Sequence, residues 1–250
     1  MNEKRFDGKG EIYSKYRPSY PIELIDYLYI TVGMEHGDII ADIGSGTGIL
    51  TKLLLEKGSR LYAVEPNEDM RAVAERELCR FENYIPVAGA AEGTGLFEQS
   101  VDFIIAAQAF HWFDQKHFTK ECRRILKPGG KIVLVWNYGD VESGIVSEND
   151  AINRMYCPEY KGSSGGANSV IGNGFSDFFI GDYSTKVFEN AARLDEDHFV
   201  GRNLSSSYAP RKGEENYEAY VKTLRELFGK YCDGSYVEYP YLTHCYVGNV

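Results

Sequence analysis

The sequence predicts a doubly wound α/β protein with a mostly parallel sheet, an antiparallel strand near the C-terminus and a small helical cap. Three observations carry that expectation. Between Ile39 and Trp136 short β-type runs alternate with amphipathic helical patterns, as a parallel sheet with helical crossovers requires. Most of these runs are almost continuously apolar, which suits strands covered on both faces. The first run leads into three glycines at alternate positions, Gly44, Gly46 and Gly48, a turn shaped to open a helix.

Taken in order, the predicted strands are 39–43, 61–64, 84–87, 101–107 and 131–136. After the first, Leu50, Leu53, Leu54 and Lys57 recur at helical spacing and Gly58 supplies the stop. In the next crossover Met70, Val73 and Ala74 share a face behind Asn67, a suitable N-cap. Asp114 caps a helix that buries Phe118, Cys122, Ile125 and Leu126 before Pro128-Gly129-Gly130 breaks it. Beyond Asn137 the pattern changes, and the Gly-, Ser- and Asn-rich stretch 162–174 reads as a mobile loop or lid, where the cap is expected. Then 186–188 reads as a strand, 217–228 as a helix with Tyr220, Leu224, Leu227 and Phe228 inward, and 236–247 as a closing strand.

The 250 residues, 43% of them hydrophobic, suffice for one domain with one sizeable core. With 37 acidic against 27 basic side chains the formal charge is -10, which repels nucleic-acid backbones and anionic membranes. The cysteines, Cys79, Cys122, Cys157, Cys232 and Cys245, form no metal-ligand spacing, so reduced thiols and no metal site are expected. The charged first residues and the lack of a long apolar run point to a cytoplasmic protein, monomeric or homodimeric.

The glycine turn carries the functional reading. Without side chains the backbone can approach a ligand, and the following helix points its amides at the ligand's polar groups. A tight turn that binds nothing has the same glycines, so the context matters. Glu65 ends the second strand 21 positions after Gly44, where a carboxylate can take both hydroxyls of an adenosine ribose. A nicotinamide dehydrogenase shares that logic but favours G-x-G-x-x-G, whereas here the order is Asp42-x-Gly44-x-Gly46-x-Gly48. The acid suits a ligand amino group, so adenosine with an ammonium-bearing tail fits better than a dinucleotide.

With these residues in view the chain resembles class I S-adenosylmethionine-dependent methyltransferases of the type-11 domain, in the broad subset that includes trans-aconitate methyltransferase-like enzymes. The resemblance rests on Tyr16-Arg17-Pro18-x-Tyr20-Pro21, the Asp42 turn, Gly89-Ala90-Ala91-Glu92 with Asp102, and Gln108 to Phe113 leading to Leu126-Lys127-Pro128-Gly129-Gly130. More loosely, Ser205-Ser206-Ser207-Tyr208 and Thr243 extend it.

The resemblance implies a Rossmann-like methyltransferase fold: an N-terminal helical cap over 1–36, a cofactor-binding core over 37–137, and a cap insertion with C-terminal strands over 138–250. It implies S-adenosylmethionine as cofactor and a small-molecule methyl acceptor. Asp42, Gly44, Ser45, Gly46 and Gly48 would border the methionine end, Glu65 with Pro66 the ribose, Met70, Ala91 and Glu92 the adenine, and Gln108 the cofactor's flank. Arg17 would meet either the cofactor's carboxylate or an acidic acceptor. Gly93-Thr94-Gly95 departs from the more hydrophobic segment usual in such proteins, so a looser adenine-side loop is expected.

Methyl transfer is an in-line displacement that depends on alignment and exclusion of water, with aromatic faces near the sulfonium. Tyr13, Tyr16, Tyr20, Phe110 and Trp112 fall in segments expected to flank it, although each also suits ordinary packing. Tyr16, Tyr20, His111, Trp112 and Tyr208 are the candidate acceptor-side residues, with Trp136 and Asn137 as weaker ones. His111, just past the fourth strand, is the candidate base, or else a pocket wall. A non-catalytic cofactor-binding or regulatory protein would share every one of these features except turnover.

Overall fold

Seven strands form one sheet in the computed structural model, which describes residues 6–162, 175 and 177–250. Helices α1 (Gly10–Tyr16) and α2 (Ile22–Tyr27) are set apart by Pro18 and Pro21, and α2 runs into a π turn, Leu28–Val32, that ends at Gly33. The core follows as β1 (Ile39–Ile43), α3 (Ile49–Glu56), β2 (Arg60–Val64), α4 (Glu68–Leu78), β3 (Tyr84–Val87), β4 (Val101–Ala107), α5 (Gln115–Ile125) and β5 (Leu126–Gly139). Beyond it lie α6 (Gly144–Tyr156), β6 (Ser184–Glu189), β7 (Ala192–Leu194), α7 (Glu196–Leu204), α8 (Tyr217–Tyr231), β8 (Val237–Tyr239) and β9 (Tyr241–Gly248).

The sheet order is β3-β2-β1-β4-β5-β9-β6, parallel from β3 to β5, with β9 antiparallel to both its neighbours. Period-two alternation sorts its side chains into two cores. Ala41, Ile43, Ile104, Ala106, Ile132, Leu134 and Trp136 enter one, whereas Ile40, Phe103, Ile105, Val133 and Val135 enter the other. A third cluster joins α6, α7, α8 and the small β7–β8 sheet through Val146, Phe199, Tyr220, Leu224 and Tyr239.

The caps form as expected, with Asn67 accepting from the Met70 amide at 3.0 Å and Asp114 from the His117 amide at 3.1 Å. Several element ends shift by a few residues, and two differences are larger in consequence. The helix expected to include Leu126 ends at Ile125, because Leu126 is already extended and pairs with Val101. The single closing strand is broken at Pro240, whose missing N–H cannot serve a ladder, so Val237–Tyr239 pairs with β7 in a separate sheet. Helices α6 and α7, and strand β7, were not distinguished within the C-terminal half of the sequence. The loop expected over 162–174 lies, apart from Gly162, outside the described residues. Among the described residues no helix is long and apolar enough to cross a membrane.

The chain moves from β1 outward to β3 and returns to β4 beside β1, so a crevice opens between the carboxyl ends of β1 and β4. Ligands bind at such a switch point in open α/β sheets.

Candidate active site

The crevice holds a cavity of about 360 Å³, bordered by Asp42, Gly44, Ser45, Gly46, Glu65, Pro66, Met70, Ala91, Glu92 and Gln108 among others. All ten of these residues were singled out from sequence. Gly46 has φ 57, and a Cβ built there comes no nearer to the protein than 3.7 Å, at Met70 Cε, so its backbone is bare toward the cavity. Gly48 does not line the cavity; a Cβ there would lie 2.6 Å from Leu78 Cδ1, so this glycine lets α3 pack against α4.

Asp42 is 1% exposed, and Thr51 Oγ1 donates to its Oδ2 at 2.6 Å, while Oδ1 is shielded from solvent and has no hydrogen-bond partner. Burial pushes its pKa up to about 7; the Thr51 bond lowers it, and nearby Glu65 adds to the rise. The buried Thr47 hydroxyl on the same wall also lacks a partner. A native structure seldom leaves such groups idle, and a ligand donor reaching Asp42 would satisfy the carboxylate.

Glu65 also faces the cavity, with Oε2 accepting from the Gly46 amide at 2.9 Å and Oε1 from the Asn67 amide at 2.8 Å. These bonds fix its position relative to the glycine turn. The loop at Gly93-Thr94-Gly95 is not loose. Thr94 is 1% exposed and donates through N and Oγ1 to Glu121 Oε1 at 2.9 and 2.6 Å, so one buried threonine does the anchoring expected of a hydrophobic segment.

A second cavity, about 140 Å³, adjoins the first beneath α6 and the loop after α7. Phe6, Tyr13, Tyr20, Ile49, Gln108 and Trp112 border both. Gln108 is held at φ 56, uncommon for a residue with a side chain, by a bond from its amide to the Val135 carbonyl at 2.8 Å and from its Nε2 to the Asn137 carbonyl at 2.9 Å. Phe6 meets Tyr13 and Trp112 edge-on at centroid distances of 5.9 and 6.2 Å, which builds an aromatic partition.

Arg17, His111 and Tyr208 border only the second cavity, and Asn137 joins them. Tyr16 borders neither: its ring sits against Gly201, and its hydroxyl donates to Asp197 at 2.7 Å. Trp136 and Phe110 are fully buried in the core. Trp136 Nε1 donates to His111 Nδ1 at 3.3 Å, and burial lowers the His111 pKa to about 4.

Sequence reading passed over Asn149, Asp150, Asn153, Tyr160, Arg202, Tyr239 and Tyr241, which complete the second cavity. They come from α6, the loop that follows it, α7 and the β8–β9 junction, far along the chain from the core motifs. Only the Ser205 to Tyr208 stretch, adjoining Arg202, carried a signal.

A nucleotide-type crevice at a sheet switch point, with an acid and bare backbone at its floor, defines the class: a Rossmann-like cofactor-binding protein. Residues 41–134 match the family model described as a methyltransferase domain. An uncharacterised methyltransferase of Mycobacterium tuberculosis is 39% identical over 136 residues, 54% of this chain and 53% of that protein. The chain thus spans about half the length of the curated relatives it matches. A solved structure from Anaeromyxobacter dehalogenans, provisionally assigned as a type II methyltransferase, aligns with TM-score 0.70 at 25% identity over 94% of this chain and 98% of that one. An S-adenosylmethionine-dependent methyltransferase from Geobacter sulfurreducens, solved with S-adenosyl-L-homocysteine, shares the fold at TM-score 0.55 and 15% identity over 96% of each chain. Over its core the chain is thus similar to a methyltransferase domain, and over nearly its whole length it shares the fold of solved methyltransferases.

Proposed function

We propose that this protein transfers a methyl group from S-adenosylmethionine, seated in the larger cavity, to a small molecule seated in the smaller one. The observation that carries this reading is the shared wall: two cavities of unequal size meet across Phe6, Tyr13, Tyr20, Gln108 and Trp112. Such a junction suits a reaction in which two ligands touch at one point.

In this reading Asp42 takes the ligand's ammonium through Oδ1, Gly46 presents bare backbone, and Glu65 holds the ribose. Met70, Ala91 and Glu92 face the adenine. The cofactor supplies a methyl group made electrophilic by a sulfonium. The chain's own part is to align an acceptor against it and keep water out, and the aromatic partition offers electron-rich faces to the positive charge. Helices of 1–36 and an insertion within 138–250 act as a cap over the core of 37–137, while the C-terminal strands β6 and β9 of 138–250 extend its sheet. The motif from Tyr16 to Pro21 favours the trans-aconitate methyltransferase-like subset.

Calorimetry with S-adenosylhomocysteine on the full chain tests the first step, and release of that product across a panel of small acceptors tests the second. Absence of binding by a folded sample refutes the cofactor site. Binding without product from any acceptor would leave a cofactor sensor.

A further inference from the structure

The smaller cavity is cationic in a chain whose formal charge is -10. Arg17 and Arg202 both border it, and among the described residues neither pairs with a carboxylate. Arg17 donates Nη2 to Ser206 Oγ at 3.2 Å and lies over the Tyr13 ring, but its Nε is buried without an acceptor. Arg202 donates Nε to the Tyr241 hydroxyl and lies 3.9 Å from the Tyr239 ring centroid, but its Nη1 is buried without an acceptor. Asp150, the one acid among the described residues bordering this cavity, is already engaged by Arg154 at 2.7 Å and the Tyr160 hydroxyl at 2.6 Å. Behind Ser206 the buried Lys9 ammonium binds the Ser206 carbonyl at 2.5 Å and adds to the positive field.

Buried guanidinium N–H groups without acceptors cost free energy unless a ligand supplies the missing oxygens. The Tyr13 and Tyr239 rings and the Ser206 and Tyr241 hydroxyls hold the two forks in place, and the negative net charge of the chain disfavours unspecific anions. We propose that this cavity takes an acceptor bearing a compact oxyanion, a carboxylate or a phosphate, gripped jointly by Arg17 and Arg202. The inference rests on the methyltransferase reading for what the anion belongs to, but not for the grip itself. Planar forks match both oxyanions.

The test uses the full chain saturated with S-adenosylhomocysteine, titrated at constant ionic strength with sodium malonate, sodium phosphate or sodium chloride. A saturable rise in Tm with malonate or phosphate, and none with chloride, is expected; which anion acts separates the two sources. In R202M and R17M the apparent affinity falls about tenfold or more. Should R202M fail to fold, R202K keeps the charge, loses the fork and is expected to lose the response as well. Calorimetry with S-adenosylhomocysteine reports the cofactor site separately, and its affinity is retained in R202M. No saturable response to either anion in the wild-type complex, or an undiminished one in R202M or R202K, overturns the proposal. So does an R17M variant that weakens S-adenosylhomocysteine, leaves 5'-methylthioadenosine unchanged and keeps the anion response, because Arg17 then serves the cofactor's carboxylate.

Discussion

The Trp136 indole N–H points at His111 Nδ1, 3.3 Å away. An indole can only donate, so Nδ1 is the acceptor and the neutral ring carries its proton on Nε2. The one lone pair of His111 is therefore spent inside the protein, and its other nitrogen is left as a donor. With burial lowering its pKa to about 4, we expect His111 to act as a pocket wall rather than as a base. At saturating cofactor and acceptor we expect kcat to show no inflection near 6.5. Because the folded pKa lies below the unfolded one, the native state binds fewer protons between them. Stability is complete above pH 6.5 and falls by up to about 3 kcal/mol as the pH drops toward 4. Urea unfolding of wild type and H111N from pH 7 to 4.5 checks this: the variant should have the flatter slope, and an NMR titration of His111 near 6.5 would contradict it.

Asp42 behaves in the opposite sense. Its folded pKa of about 7 lies above the ordinary carboxylate value, so ionising it costs native stability progressively as pH rises toward 7. A ligand ammonium selects the ionised form. Binding of S-adenosylhomocysteine near neutral pH should therefore release a proton and weaken as pH falls below 7. Calorimetry in buffers of different ionisation heat measures the release; heat independent of buffer would count against it. D42N should bind about tenfold or more weakly.

The glycine turn divides its labour between ligand and packing. Gly46→Ala places a methyl group toward the cavity at φ 57, so we expect loss of cofactor affinity with about 1 kcal/mol of destabilisation. Gly48→Ala drives its methyl group to 2.6 Å from Leu78, so we expect the larger loss in Tm. Thermal melts and cofactor titrations of the two variants would show the contrast.

Glu121 ties α5 to the loop at Gly93-Thr94-Gly95 through Thr94. Burial raises its pKa, but Arg124 and the two Thr94 donors outweigh that and hold it at about 2. The folded pKa is depressed, so this stability is present above the unfolded value and lost as pH falls from about 4.5 to 2. Thr94→Val removes a hydroxyl donor from a buried carboxylate and should cost about 1–3 kcal/mol, read by urea unfolding at pH 7. An unchanged midpoint would place the anchoring elsewhere.

The larger cavity was legible because its residues sit at strand ends and in one local turn, where period and spacing are chemical statements. Asp42, Gly46 and Glu65 needed only the register of neighbouring parallel strands to meet. The second cavity was not. Arg202, Tyr239 and Asp150 carry no local pattern, and they converge only because α6, α7 and β8 pack on one another. Thr94 misled for a related reason: a polar residue reads as a loose loop until its buried partner, 27 positions away, is seen.

By itself the sequence determined the layered α/β core, the order of its first strands and the nature of the turn between them. These follow from hydrophobic period, capping and backbone sterics, all of which act over a few residues. Tertiary structure alone decided which side chains face the second cavity, that Pro240 hands one strand to a separate sheet, and that Trp136 spends the lone pair of His111. Such outcomes depend on burial and on partners distant in the chain, and the free energy of a buried polar group is set by who meets it.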